Sequence, residues 1–168
     1  AFGDLYKLFK QKGLSERIVF IGSGKLGFPA KAAMGFAMGV DCINVAREAM
    51  MSIGCIQAQV CHTNRCPTGI ATQSKWLQNG IDPTLKSERL AQYFKTFKKE
   101  LIEITHAAGY EHPCQFSMHD IGMNVDDHNL SKTLNKTYNY DKTPIPFDGM
   151  QNLKDCVYLG SHPNKNLT

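Results

Sequence analysis

Ile18-Val19-Phe20-Ile21-Gly22-Ser23-Gly24-Lys25 is the stretch whose reading decides the fold. The apolar run across Arg17–Ile21 lacks polar alternation, which suits a parallel strand covered on both faces. Glycines then turn the chain, and Phe28–Met38 follows as a helix rich in Ala and Gly, with Pro29 in its first turn. Asp41–Ala46 holds Cys42-Ile43-Asn44-Val45, a second candidate for a buried strand. Two parallel strands joined through one helix make a right-handed βαβ unit. The fold class is therefore α/β.

Outward from this unit, Phe2–Lys12 reads as an amphipathic helix with Leu5, Leu8 and Phe9 on one face and Gly13 as its stop. Arg47–Gln59 opens as a helix. Leu85–Ala108 is the clearest helix: Leu90, Phe94, Phe97, Leu101, Ile104 and Ala108 recur at intervals of three and four, with Gly109 as C-cap. Leu130–Tyr140 reads as one more short helix and Thr143–Thr168 as extended chain or loop.

Composition bounds the function classes. At 168 residues and 42% apolar content the chain is long enough for a core. A formal charge of +4, scattered except near Lys95–Lys99, does not call for nucleic acid. No apolar run approaches the ~20 residues of a membrane span. Charges at Asp4, Lys7, Lys10 and Lys12 argue against a signal peptide. Six cysteines are present, Cys42, Cys55, Cys61, Cys66, Cys114 and Cys156. With no export signal and three of them crowded together, metal or cluster binding in the cytoplasm or another reducing compartment is expected over disulfides.

Two segments carry chemistry. Cys55-x5-Cys61-x4-Cys66-Pro67 offers soft thiolates on one irregular segment, which Pro67 and Gly69 keep from regular structure. Three such ligands suit an iron–sulfur cluster; a zinc site with His62 as fourth ligand, or three separate buried thiols, are the other readings. The turn Gly22-Ser23-Gly24-Lys25 lies between a strand and a helix. There backbone N–H groups and a helix N-terminus favour an anion, and Lys25 adds charge. With Gly27 the turn matches G-x-G-x-x-G spacing, but no acidic residue ends the second strand to hold a ribose. An ordinary strand-to-helix connection has the same look. Arg47 fits either a phosphate or a surface ion pair. His106, His112, His119 and His128 are dispersed and read as surface or structural residues, and Asp126-Asp127-His128 as a solvated turn.

Ser23-Gly24-Lys25, the run Gly39-Val40-Asp41-Cys42-Ile43-Asn44-Val45-Ala46-Arg47, and above all the unbroken stretch from Gly54-Cys55-Ile56-Gln57 through Cys61-His62-Thr63-Asn64-Arg65-Cys66-Pro67 to Ala71-Thr72-Gln73 resemble the glutamate synthase-like, FMN-binding oxidoreductases. The resemblance covers Leu5 to Gln115, with a further stretch at Val125–Phe147. It implies a (β/α)8 barrel holding FMN beside a 3Fe-4S cluster on Cys55, Cys61 and Cys66. In such enzymes the cluster passes electrons to FMN, which reduces 2-iminoglutarate, formed from 2-oxoglutarate and ammonia, to glutamate. Ile18–Ile21 would be the seventh barrel strand and Cys42–Val45 the eighth. The FMN phosphate would sit against Ser23, Gly24, Lys25 and the backbone near Ala46 and Arg47, with Gln73 on the flavin side. Ser23 stands where many glutamate synthases have an Asp-Gly-Gly turn, which points to a shorter, divergent branch.

The resemblance divides the chain into residues 1–115, the C-terminal part of an FMN barrel with its cluster segment at 54–73, and a C-terminal extension over 116–168. A barrel needs eight strands in about 250 residues. The missing strands are expected from an upstream segment or a partner chain, and with them the substrate-binding residues and much of the flavin contact surface, so no catalytic residue is assigned to this chain. The implied partners are an electron donor, either ferredoxin or a flavoprotein subunit, and a small-molecule substrate. The alternative from another class is a non-catalytic, zinc-stabilised interaction module.

Overall fold

A computed structural model of the chain describes residues 2–124 and 131–138. It is mixed α/β. Helix α1 (Phe2–Gln11) leads to strand β1 (Ile21–Ser23), helix α2 (Pro29–Ala37), strand β2 (Cys42–Asn44) and helix α3 (Arg47–Ser52). After the cysteine segment come helices α4 (Lys75–Gln78) and α5 (Pro83–Ala107), strands β3 (Gly122–Asn124) and β4 (Ser131–Thr133), and helix α6 (Leu134–Thr137).

The βαβ unit is present. β1 and β2 pair in parallel, with Ile21 beside Cys42, Gly22 beside Ile43 and Ser23 beside Asn44. β1 starts later than the apolar run suggests. The Phe20 N–H donates to the Asp41 carboxylate at 2.7 Å, and the Phe20 carbonyl accepts from Asp41 and Cys42. The Asp41 carboxylate thus takes the Phe20 N–H out of the ladder, whereas the bond from the Cys42 N–H to the Phe20 carbonyl already belongs to the pairing of Ile21 with Cys42. Within this chain one face of the strand is open, Val19 being 45% exposed and Ile21 66%.

α1 uses a different face from the one its leucines suggest. Leu5 and Leu8 are about half exposed, whereas Tyr6 is buried with Phe2 and Phe9 packed alongside. Their common partner is Phe20, whose ring lies 5.1 Å from Tyr6 and meets Phe9 edge-on at 5.8 Å. Such aromatic pairs add about 0.5–1.5 kcal/mol each beyond area burial, enough to choose between two similar faces.

The main core joins α2 to α5. Ala32, Ala33, Phe36 and Ala37 pack with Phe97 and Leu101, and Phe116, Met118 and Leu134 close the cluster. The small side chains of α2 allow the helices to approach closely. On α5 the buried stripe is Phe97, Leu101 and Thr105. Phe94 and Ile104, expected on that stripe, lie at its margin at 42% and 37% exposure. The Thr105 hydroxyl is satisfied by donating to the Leu101 carbonyl at 2.7 Å. α5 begins two residues before the expected start because Asp82 caps it, its carboxylate accepting from the Thr84 and Leu85 N–H groups, with Pro83 in the first turn.

The segment expected as one helix over Leu130–Tyr140 divides instead. Ser131–Thr133 pairs antiparallel with Gly122–Asn124, and only Leu134–Thr137 is helical. Leu134 and Asn135 anchor the change by donating their N–H groups to the Ile121 and Met118 carbonyls. The readings at Asp126-Asp127-His128, Cys156 and Thr143–Thr168 lie outside the described residues. Among the described residues no helix is long and apolar enough to cross a membrane.

α2 ends in a Schellman motif: Val40 N–H donates to the Gly35 carbonyl and Gly39 N–H to Phe36. Gly39 sits at φ +97°, and a Cβ there would lie 2.7 Å from the Tyr6 ring. Gly39→Ala is therefore expected to destabilise the fold by about 3 kcal/mol, combining left-handed strain with a clash against a buried ring. Denaturant unfolding of the variant beside the wild type checks this.

Candidate functional site

The parallel register puts Ser23 beside Asn44. The turn at Gly24-Lys25 and the Ala46-Arg47 step into α3 therefore leave the C-terminal end of the same two-stranded sheet. Ligands of α/β folds gather at that end. Ser23, Gly24, Lys25, Ala46 and Arg47 are all exposed. Gly24 has φ +138° and nothing within 4 Å of a would-be Cβ, so a ligand can approach its backbone directly. Behind the turn, Tyr93 of α5 donates its hydroxyl to the Gly27 carbonyl at 2.7 Å. Burial and the nearby Glu48 carboxylate raise the Tyr93 pKa, which keeps that hydroxyl a donor.

α3 spans about 9 Å at 1.5 Å per residue and runs from this end to the first cysteine. Its C-terminus is another Schellman motif, with Gly54 N–H donating to Met51 and Cys55 N–H to Met50, both at 3.0 Å. Gly54 takes φ +109° to make the turn. Cys55 is thus pinned to the helix that Arg47 begins.

Cys55, Cys61 and Cys66 line one small cavity together with Ile56, Val60 and Pro67. All three are free thiols; Cys66 is buried, Cys55 half-buried and Cys61 exposed. Among the described residues no three Cys, His, Asp or Glu side chains come together as a metal-binding group, so the thiols share a cavity without forming a coordination polyhedron. Their chemistry fits a soft-metal cluster. Cys66 is pulled from 9.0 to about 7, first by the Thr68 hydroxyl, whose oxygen lies 3.4 Å from Sγ, and next by the Ala71 backbone. That environment favours the thiolate, the form that binds metal.

His62 lies elsewhere. It lines the neighbouring open pocket with Cys61, Asn64, Ile70, Ala71, Thr72 and Gln73. Gln73 therefore lines the same pocket as Cys61. His106 is exposed, and His112 caps a single 3-10 turn by accepting from the Cys114 N–H.

Sequence reasoning missed the strain that marks both sites. Among the described residues the non-glycine positions with positive φ are Lys25, Gln57, Gln59 and Asn64. One lies in the glycine turn and three in the cysteine segment. Each costs on the order of 1–2 kcal/mol, and such strain concentrates at functional sites. It also missed Thr68 beside Cys66 and the contact between Asn64 and Thr72.

A family model described as a conserved region in glutamate synthase matches residues 1–111. The glutamate synthase large subunit-like protein YerD of Bacillus subtilis (strain 168) is 39% identical over 120 residues, covering 71% of this chain and 23% of that protein. The archaeal glutamate synthase (NADPH) of Methanocaldococcus jannaschii is 33% identical over 100 residues, 60% of this chain and 20% of the relative. The ferredoxin-dependent glutamate synthase of Cyanidium caldarium is 31% identical over 167 residues, 98% of this chain and 10% of the relative. The chain thus spans less than a quarter of the length of these curated relatives. The match runs from α1 through both candidate segments to the end of α5, and on it the chain belongs to the glutamate synthase family.

Proposed function

We propose that this chain is the closing part of an FMN- and 3Fe-4S-dependent oxidoreductase of the glutamate synthase type. The observation that carries the reading is the meeting of Cys55, Cys61 and Cys66 on one cavity, joined through α3 to the Ser23–Lys25 and Ala46–Arg47 end of a parallel sheet. The thiols would hold the cluster. Ser23, Gly24, Lys25 and the backbone at Ala46, with Arg47, would hold the flavin phosphate. Gln73 would face the flavin from the pocket it shares with Cys61. When bound, cluster and flavin supply the electron chemistry, for glutamate formation from 2-oxoglutarate and ammonia or a related reduction. The chain's own part is to bind, orient and tune them.

β1 and β2 would be the seventh and eighth strands of a (β/α)8 barrel. The exposed apolar residues Ile21 of β1 and Val19 just before it support a further layer over the sheet, since parallel sheets are stable when both faces are covered. Residues 1–115 would be the barrel's end. Residues 116–168 would be an extension, of which Phe116, Met118 and Leu134 pack onto α2 and α5. The other strands come from an upstream segment or a partner chain, and reducing equivalents from ferredoxin or a flavoprotein subunit.

The test compares residues 1–168 alone with a protein in which the barrel is complete, both reconstituted with FMN, iron and sulfide. The complete protein is expected to form glutamate from 2-oxoglutarate and ammonia with a reduced donor. Residues 1–168 alone are expected to give no turnover and no tight FMN binding. A cooperatively folded, FMN-binding, active 168-residue monomer would overturn the barrel assignment.

A further inference from the structure

Asn64 lies between Cys61 and Cys66 and holds a left-handed backbone, φ +62°. Asparagine tolerates that conformation better than most residues, but glycine would do so at less cost, so its side chain needs a separate reason. That side chain closes a loop. Its Oδ1 accepts the Gln73 N–H at 2.5 Å. The Thr72 hydroxyl lies 2.6 Å from the Asn64 carbonyl and 3.0 Å from Oδ1, and its single proton is shared between them. The same hydroxyl accepts the Ser74 N–H at 3.1 Å, and the Thr72 carbonyl accepts from the Gln78 amide at 2.7 Å. Thr72 is buried while Gln73 is exposed, so the clasp takes the Gln73 backbone and leaves its side chain to the pocket.

We infer that Asn64 and Thr72 are positioning residues that fix the Cys61–Cys66 arc relative to Gln73, and so set the geometry of electron transfer between cluster and flavin. The inference rests on the proposed function above. Neither residue offers a metal ligand or touches a reacting atom. A clasp eight residues across, made of hydrogen bonds to one strained asparagine, holds two otherwise irregular stretches in one arrangement.

The test uses the complete protein loaded with both cofactors. Asn64→Gly keeps the left-handed backbone and removes the acceptor; Asn64→Asp restores an acceptor oxygen. Thr72→Val removes the hydroxyl at nearly constant shape; Thr72→Ser restores it. Iron and acid-labile sulfide, the cluster's electron paramagnetic resonance spectrum and the rate of flavin reduction after mixing with reduced ferredoxin are measured for each. Asn64→Gly and Thr72→Val are expected to retain iron and sulfide but reduce flavin about tenfold more slowly, as small misplacements of reacting groups do. Their cluster spectra are expected to be broadened. Asn64→Asp and Thr72→Ser are expected to recover most of the rate. Normal rates in Asn64→Gly and Thr72→Val overturn the inference and leave the proposed function standing. Loss of iron in both, equal to that in a cysteine variant, also overturns it, because the clasp would then serve cluster assembly. A wild-type protein without labile sulfide removes the proposed function itself.

Discussion

Cys61→Ser is expected to strip most of the iron and acid-labile sulfide from the protein. Among the three cysteines of the cavity, Cys61 gives the cleanest test because it is exposed. Its replacement disturbs little packing, whereas Cys66 is buried beside Thr68. Serine keeps the shape but presents a hard oxygen whose proton does not leave near neutral pH, where a cluster needs a soft thiolate. Partners that merely support a ligand are already worth about 10–100-fold in metal affinity, so loss of the ligand itself should exceed that. Iron and sulfide analysis, with the visible spectrum, provides the readout. Full retention of both in Cys61→Ser, with an unchanged spectrum, removes Cys61 from the ligand set.

Gly24→Asp is expected to weaken FMN binding by about 100-fold or more, read by flavin fluorescence titration in the complete barrel. Two effects add. A carboxylate placed about 4 Å from a phosphate costs ~4 kcal/mol at the effective dielectric of a protein surface. The φ of +138° also suits glycine alone, so any side chain strains the turn. Gly24→Ala separates the two, since it carries the strain without the charge; it is expected to lose less affinity. The difference between the variants should shrink as salt is raised. FMN affinity unchanged in Gly24→Asp takes the phosphate away from this turn.

Much of the architecture was legible because it is written in local spacing. The α1–β1–α2–β2–α3 order follows from apolar runs separated by glycines, and the glycines at 13, 39 and 109 stop the helices that precede them. The errors arose where long-range contacts decide. Phe20 drew Phe2, Tyr6 and Phe9 toward it, so α1 turned its leucines outward. The Asp41 carboxylate held Phe20 and delayed β1. Residues 131–133 took a strand because Gly122–Asn124 lay alongside, a pairing that no local pattern announces.

The candidate site was legible by residue type and not by geometry. Spacing named Cys55, Cys61 and Cys66, and the fold brings them to one cavity. Spacing also allowed His62 as a fourth ligand, and only the fold shows that His62 lines the adjoining pocket. Thr68, Asn64 and Thr72 act through hydrogen bonds across a loop with no periodicity, so nothing in their spacing sets them apart. Asparagine between two cysteines was the one available hint, since it is among the residues that accept a left-handed backbone.

Elemental and cofactor analysis of the native protein, purified without oxygen, tests the central claim most directly. About three iron atoms and four labile sulfides are expected for each chain, as a 3Fe-4S cluster bound by cysteine thiolates requires, together with bound FMN and the visible colour of both. One zinc per chain, no labile sulfide and no flavin would contradict it and make the cysteine segment a structural metal module.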